Sequence, residues 1–194
     1  MTEERSVFET PLQHIELLEL PSEDLILDIG GGGEGLASRI GKQRVCSVDF
    51  RISEIREAQI HDAPANWFVC DGRALCFVNS SFDYATLWFS LGYMRDDVTK
   101  KKVLNEVFRV LKPGQSALML EYTSDNSPFQ IYQKELFSTD EIDLPPIFQR
   151  ILNPLIPLTK ENIISTIEKT SFKIVDVVDV VNLPRFVLKK PNKP

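Results

Sequence analysis

The residues best able to do chemistry gather early in the chain, where Asp28 closes an apolar run and DIGGGGEG follows at 28–35. Gly30, Gly32 and Gly35 satisfy the spacing GxGxxG between a strand pattern and a helix pattern. Glycines at such a turn accept positive φ and let the backbone approach a ligand at the carboxyl end of a parallel sheet. A carboxylate at the end of that strand opposes a pyrophosphate. It suits instead a ligand carrying an ammonium and a sulfonium, because Coulomb terms of either sign grow in a poorly hydrated cleft. Asp28 can also hold the turn by accepting loop N–H groups, and the two roles can coexist. Asp49 stands about 20 residues further on, at the end of a second apolar run, where an acid can accept both hydroxyls of an adenosine ribose. The plainer role for Asp49 is a surface acid capping the next turn.

Elements that must position these groups are legible as alternating patterns. Residues 25–29 predict a strand, 36–40 a helix stopped by Gly41, and 45–48 a second strand followed by a helix. Residues 67–70 and 84–89 predict a third and a fourth strand. Val103, Leu104, Val107, Phe108 and Leu111 then mark a helix over 98–111, stopped by Lys112-Pro113-Gly114. A fifth strand is expected at 117–122, a last helix at 161–169, and a closing hairpin from 172–181 and 185–189. Strands alternating with helices imply a mainly parallel sheet covered on both faces, with an antiparallel edge from the last strand. The whole chain, 1–194, is expected to form one domain. Within 1–20, Leu12, Ile15, Leu17, Leu18 and Leu20 predict a short amphipathic helix ending at Pro21. Residues 123–159, with five prolines among scattered aromatics, predict a long irregular loop or short helices with turns. Such an insertion in a compact domain is a candidate substrate lid.

Five segments taken in order, LILDIGGGGEG at 25–35, VCSVDFRISEIREA at 45–58, FVCDGRAL at 68–75, SFDYATLWFSL at 81–91 and RVLKPGQ at 109–115, resemble successive motifs of class I S-adenosylmethionine-dependent methyltransferases. The resemblance covers roughly residues 24 to 122 and implies a Rossmann-like, doubly wound α/β fold with a seven-stranded sheet. It further implies S-adenosyl-L-methionine as cofactor, with Asp28, Gly30, Gly31 and Gly32 beside the methionine part, Asp49 and Phe50 at the ribose, and Asp71 and Gly72 at the adenine. Trp88 at the end of the fourth strand is included in the same binding set. Two departures stand out. The family's DxGxGxG wants glycine at position 34, where this chain has Glu34 and then Gly35, so the loop is either one residue longer or shifted. The family's acid near the end of the fifth strand is matched by Glu121, which suits either the core edge or the substrate side.

A methyl group on a sulfonium is already activated, so such a protein chiefly holds the acceptor in line and excludes water, and no catalytic base is required. The pattern therefore names a donor more readily than an acceptor. LeuTrpPheSer at 87–90 stands where enzymes acting on base amino groups carry AsnProProTyr, and no cysteine there suits attack on a pyrimidine. Trp88, Phe89, Tyr93 and Tyr122 are expected to form an aromatic wall at the carboxyl end of the sheet, with Tyr93 and Tyr122 offering polar tips to an acceptor. The formal net charge of −6 argues against a general grip on nucleic acid, and a small molecule or protein side chain is the expected acceptor. Cys46, Cys70 and Cys76 lack metal spacing and are expected as buried thiols of a reducing, cytoplasmic setting. No run reaches the length of a membrane helix. Two other readings remain open from the sequence: a binding subunit of the same fold without catalysis, and an NAD-dependent oxidoreductase, which Asp28 disfavours.

Overall fold

Short apolar runs with no alternation become strands buried on both faces, and Ile26, Leu27, Asp28 and Ile29 are all buried in this way. The computed structural model describes residues 7–61, 63–94, 96–123, 130–140, 143–152, 158–180 and 183–192. In chain order the elements are β1 (Val7–Glu16), β2 (Ile26–Ile29), α1 (Leu36–Gly41), β3 (Val45–Asp49), α2 (Ile52–Ile60), β4 (Asn66–Val69) and β5 (Phe82–Trp88). There follow α3 (Asp97–Val110), β6 (Leu111–Leu120), β7 (Gln130–Ser138), β8 (Asp143–Leu152), α4 (Lys160–Glu168), β9 (Lys173–Val180) and β10 (Leu183–Lys189).

Seven strands form the main sheet in the order β4-β3-β2-β5-β6-β10-β9. The strand order reverses between β2 and β5, which lie side by side and in parallel, and open α/β sheets bind ligands at the carboxyl ends of strands at such a switch point. The antiparallel strand expected at the edge is β10, one place in from it, with β9 outermost. One face of the sheet packs against α3 and α4 through Leu27, Leu87, Leu104, Val107, Ile163 and Ile167. The other face packs against α1 and a second, three-stranded sheet through Ile26, Ile40, Trp88, Leu120, Ile15 and Phe137.

Helix ends are closed by side chains. Asp96 caps α3 by accepting from Thr99 N at 2.7 Å, and Thr159 caps α4 by accepting from Asn162 N at 3.2 Å. At the far end of α3 the ammonium of Lys190, only 9% exposed, donates to the carbonyls of Phe108 and Leu111 at 2.6 Å each. A cation there also complements the negative end of the helix dipole.

The second sheet corrects two expectations. Residues 7–16 form a strand, where a helix was expected over 1–20, and β1 runs parallel to β7. Ile15 and Leu17 are buried while Glu16 between them is exposed, which is the period of a strand, and Leu12 and Leu18 lie in part on the surface. Within the insertion, β7 and β8 form an antiparallel hairpin in place of irregular loop or short helices. Pro128, Pro154 and Pro157 lie outside the described residues, whereas Pro145 and Pro146 fall within β8, which pairs on one side only and so tolerates missing donors.

Candidate functional site

Asp28, Ser47 and Thr86 occupy one rung across β3, β2 and β5. Ser47 Oγ donates to Asp28 Oδ2 at 3.1 Å, and Thr86 Oγ1 donates to Asp28 Oδ1 at 2.7 Å. The carboxyl is 2% exposed, and burial pushes its pKa up to about 6 despite these two hydroxyls, with Asp49 adding a smaller push in the same direction. Asp28 therefore bonds neighbouring strands, and the backbone of the glycine loop lies directly over it. A Cβ on Gly31 would fall 1.9 Å from Asp28 Oδ2 and 2.1 Å from Ser47 Oγ.

The loop itself is pinned from below and from the side. Gly30 N and Gly31 N both donate to Val48 O, at 2.8 and 3.3 Å, and Gly33 N donates to Glu54 O at 2.8 Å. Gly33 at φ 68° and Gly35 at φ 60° make the left-handed turns, and Glu34 between them lies 3.9 Å from His61 Nε2. Gly30 is left-handed as well, at φ 70°. Gly32 closes the loop over the second acid, since a Cβ there would come 2.8 Å from Asp49 Oδ2. Asp49, 8% exposed at the end of β3, accepts from Arg51 N at 2.8 Å through its other oxygen.

Around this centre the expected residues separate into two groups. Phe50 is 69% exposed, with the Arg51 guanidinium 5.3 Å from its ring centre. Asp71 is exposed after β4 and held by Arg73, whose Nη2 lies 2.6 Å from Oδ2, and that guanidinium keeps the carboxyl below the usual range. Gly72 faces Val103 of α3 at ordinary contact distance. Trp88, Phe89 and Tyr122 fall in one buried cluster, whereas Tyr93 is 67% exposed. The Trp88 indole Nε1 is buried without a hydrogen-bond partner, as is Ser90 Oγ. Glu121 is buried at the core edge, where its Oε1 accepts from Ser90 N at 2.9 Å and Leu91 N at 2.6 Å in the turn after β5. Of the cysteines expected inside, Cys76 is exposed and the other two are half-buried.

Two features escaped the pattern reading. Phe89 has φ 57°, a conformation that for a bulky residue costs about 1–3 kcal/mol and gathers near functional sites. Glu135 of β7 is fully buried, and the Tyr122 hydroxyl donates to its carboxylate. An acid inside a segment that lacked clear periodicity carries no local mark of burial.

Residues 26–114 match the family model described as a methyltransferase domain. The strand order is likewise the one that the resemblance to class I S-adenosylmethionine-dependent methyltransferases implies. Among individual proteins, the chain is 30% identical over 137 residues to the ubiquinone/menaquinone biosynthesis C-methyltransferase UbiE of Hydrogenovibrio crunogenus, covering 64% of this chain and 52% of that one. The chain therefore spans about half the length of the curated relatives it matches. Its fold is shared with a SAM-dependent methyltransferase from Methanosarcina mazei, at TM-score 0.63 and 21% identity over 92% of this chain and all of the other. It is shared too with a Burkholderia thailandensis 1,6-didemethyltoxoflavin-N1-methyltransferase that holds 1,6-didemethyltoxoflavin and S-adenosylhomocysteine. There the TM-score is 0.56 and the identity 17%, over 87% of this chain and 72% of that one. Among the described residues, no helix is long and apolar enough to cross a membrane.

Proposed function

We propose that the chain binds S-adenosylmethionine and transfers its methyl group to a small molecule with a flat ring. The observation that carries this reading is the meeting of bare loop backbone and buried acid: Gly32 lies against Asp49 Oδ2 at the carboxyl end of β3. In this reading Asp49 accepts the two ribose hydroxyls, and the exposed ring of Phe50 lies along the nucleoside. Asp71 and Gly72 form the adenine side, with Arg73 keeping the Asp71 carboxyl ionised. Asp28 acts through the backbone above it, giving the loop a negative floor toward the ligand's ammonium. Gly30 and Gly31 leave that backbone uncovered. Trp88 Nε1 supplies a buried donor at the end of β5.

When bound, S-adenosylmethionine supplies a methyl group already activated by positive sulfur. The protein's part is to align the acceptor and keep the site dry, which is where most of the rate gain lies for such transfers. The part of the Hydrogenovibrio relative in ubiquinone/menaquinone biosynthesis and the 1,6-didemethyltoxoflavin held by the Burkholderia enzyme support a ring-bearing small molecule as acceptor for this chain. In this reading Tyr93, exposed after β5, meets it. Tyr122 is buried and bonded to Glu135, so its part is to shape the wall. The sheet of β1, β7 and β8 covers this side.

Calorimetry with S-adenosylhomocysteine and with NADH tests the donor. Binding of the first alone is expected, and Asp49→Ala should weaken it by about 2–4 kcal/mol, the range for losing charge-assisted hydrogen bonds. Incubation with methyl-labelled S-adenosylmethionine and a panel of short-tailed methoxy-1,4-benzoquinols tests the acceptor. Label appearing in protein or nucleic acid, with none in the quinols, would remove the small-molecule reading.

A further inference from the structure

We propose that Glu135 is a positioning residue, through which the three-stranded sheet sets the turn that adjoins the ligand loop. The proposal rests on the reading of 30–35 as the loop that holds S-adenosylmethionine. A series of contacts connects Glu135 to that loop. Its buried carboxylate accepts the Tyr122 hydroxyl. The Tyr122 ring stacks on Phe89, centres 4.5 Å apart and planes inclined by 30°, while Phe137, two residues beyond Glu135 on β7, meets the same ring at 5.5 Å. Phe89 holds the left-handed backbone, and its N donates to Leu120 O at 2.7 Å. Directly after it comes Ser90, against which Gly30 packs so tightly that a Cβ would lie 2.8 Å from Ser90 Cβ.

A phenylalanine does not stay left-handed by its own preference, so something must hold its ring. On one side of the turn, Glu121 accepts from the N–H groups of Ser90 and Leu91. On the other, the ring lies between Tyr122 and Phe137, and the Tyr122 hydroxyl anchored to a buried carboxylate keeps its own ring in place there. Release of that anchor frees Phe89 to return to an ordinary φ, which shifts Ser90 against Gly30 and alters the floor of the ligand site. The small sheet thereby reports to the cofactor loop whether it is docked, without touching the ligand.

The test is a double-mutant cycle read by S-adenosylhomocysteine calorimetry on the full chain. Glu135→Leu should weaken binding about tenfold in the native background, within the range of coupled neighbours. Glu135→Gln, whose amide oxygen still accepts from Tyr122, should restore most of that loss. In a Phe89→Gly background, where no ring remains to be held, Glu135→Leu should change affinity less than about twofold. The same insensitivity is expected in Tyr122→Phe, which keeps the ring and loses the anchor, so the cycle can be closed with either background. An equal loss from Glu135→Leu in all backgrounds, or no loss in the native one, would overturn the positioning role while leaving the ligand reading intact. Absence of binding by the native protein would overturn both.

Discussion

Asp28 carries a cost that a single substitution can expose. Its carboxyl is buried on a rung with two hydroxyls, and its folded pKa of about 6 stands above the ordinary 3.8. A group held this way contributes stability fully present below pH 3.8, and that contribution is lost as pH rises through about 6, because the unfolded chain ionises first. At about 1.4 kcal/mol per pH unit, the loss amounts to about 3 kcal/mol at pH 7. Asp28→Asn removes the titration while keeping the shape: the amide oxygen still accepts from Thr86, and Ser47 turns from donor to acceptor. Urea denaturation should find the variant about 1–3 kcal/mol more stable than the native chain at pH 7, a rise in Tm of about 3–10 °C for a chain of this size. The gain should shrink steadily from pH 6 to pH 4 and be absent there. The same variant should bind S-adenosylmethionine more weakly at pH 7, because the negative floor of the loop is gone. A stability difference that stays flat between pH 4 and pH 7 would refute the assignment of a raised pKa to Asp28.

Lys190→Met should cost about 2–3 kcal/mol in denaturant titration, since two carbonyls at the end of α3 lose a charged donor, with S-adenosylhomocysteine affinity unchanged. Gly31→Ala should abolish binding in calorimetry even in protein that remains folded by circular dichroism, because its methyl group would occupy the position of the Asp28 carboxylate. If the three-stranded sheet closes over the acceptor, amide exchange in β7 and β8 should slow on adding S-adenosylhomocysteine and slow further with a quinol, while β2 and β5 change little.

The alternating part of the fold was readable because each unit buries its apolar run locally: β2, the glycine loop and α1 form one contiguous stretch, and Asp49 ends its own strand. The glycine loop stood out because its residue types suit a tight turn and serve no core position. β1 was misread because Leu12, Ile15 and Leu18 happen to recur at helical spacing, and the partner that imposes period two lies on the far side of the domain sequence. Glu121 and Glu135 were opaque for another reason. An acid that serves as a cap or an anchor is defined by the N–H or O–H it meets, and both partners come from elements brought near only by the finished sheet. The strain at Phe89 likewise has no sequence signature, since a bulky residue is not one that a left-handed position selects.

The parallel pairing of β1 with β7 has a bearing on how the chain is made. Val7 faces Gln130, so this strand leaves the ribosome 123 residues ahead of its partner. At cellular rates of synthesis that is a wait of about 6–25 seconds. Throughout it Ile15 and Leu17, destined for the interior, are uncovered on a strand with open N–H and C=O groups, the kind of edge that recruits foreign strands. The main sheet can close around β2, β3 and β5 in the meantime. Late capture of β1 leaves the nascent protein vulnerable until β7 has emerged, and slowing elongation between β6 and β7 should lower its soluble yield more than the same delay placed after β7.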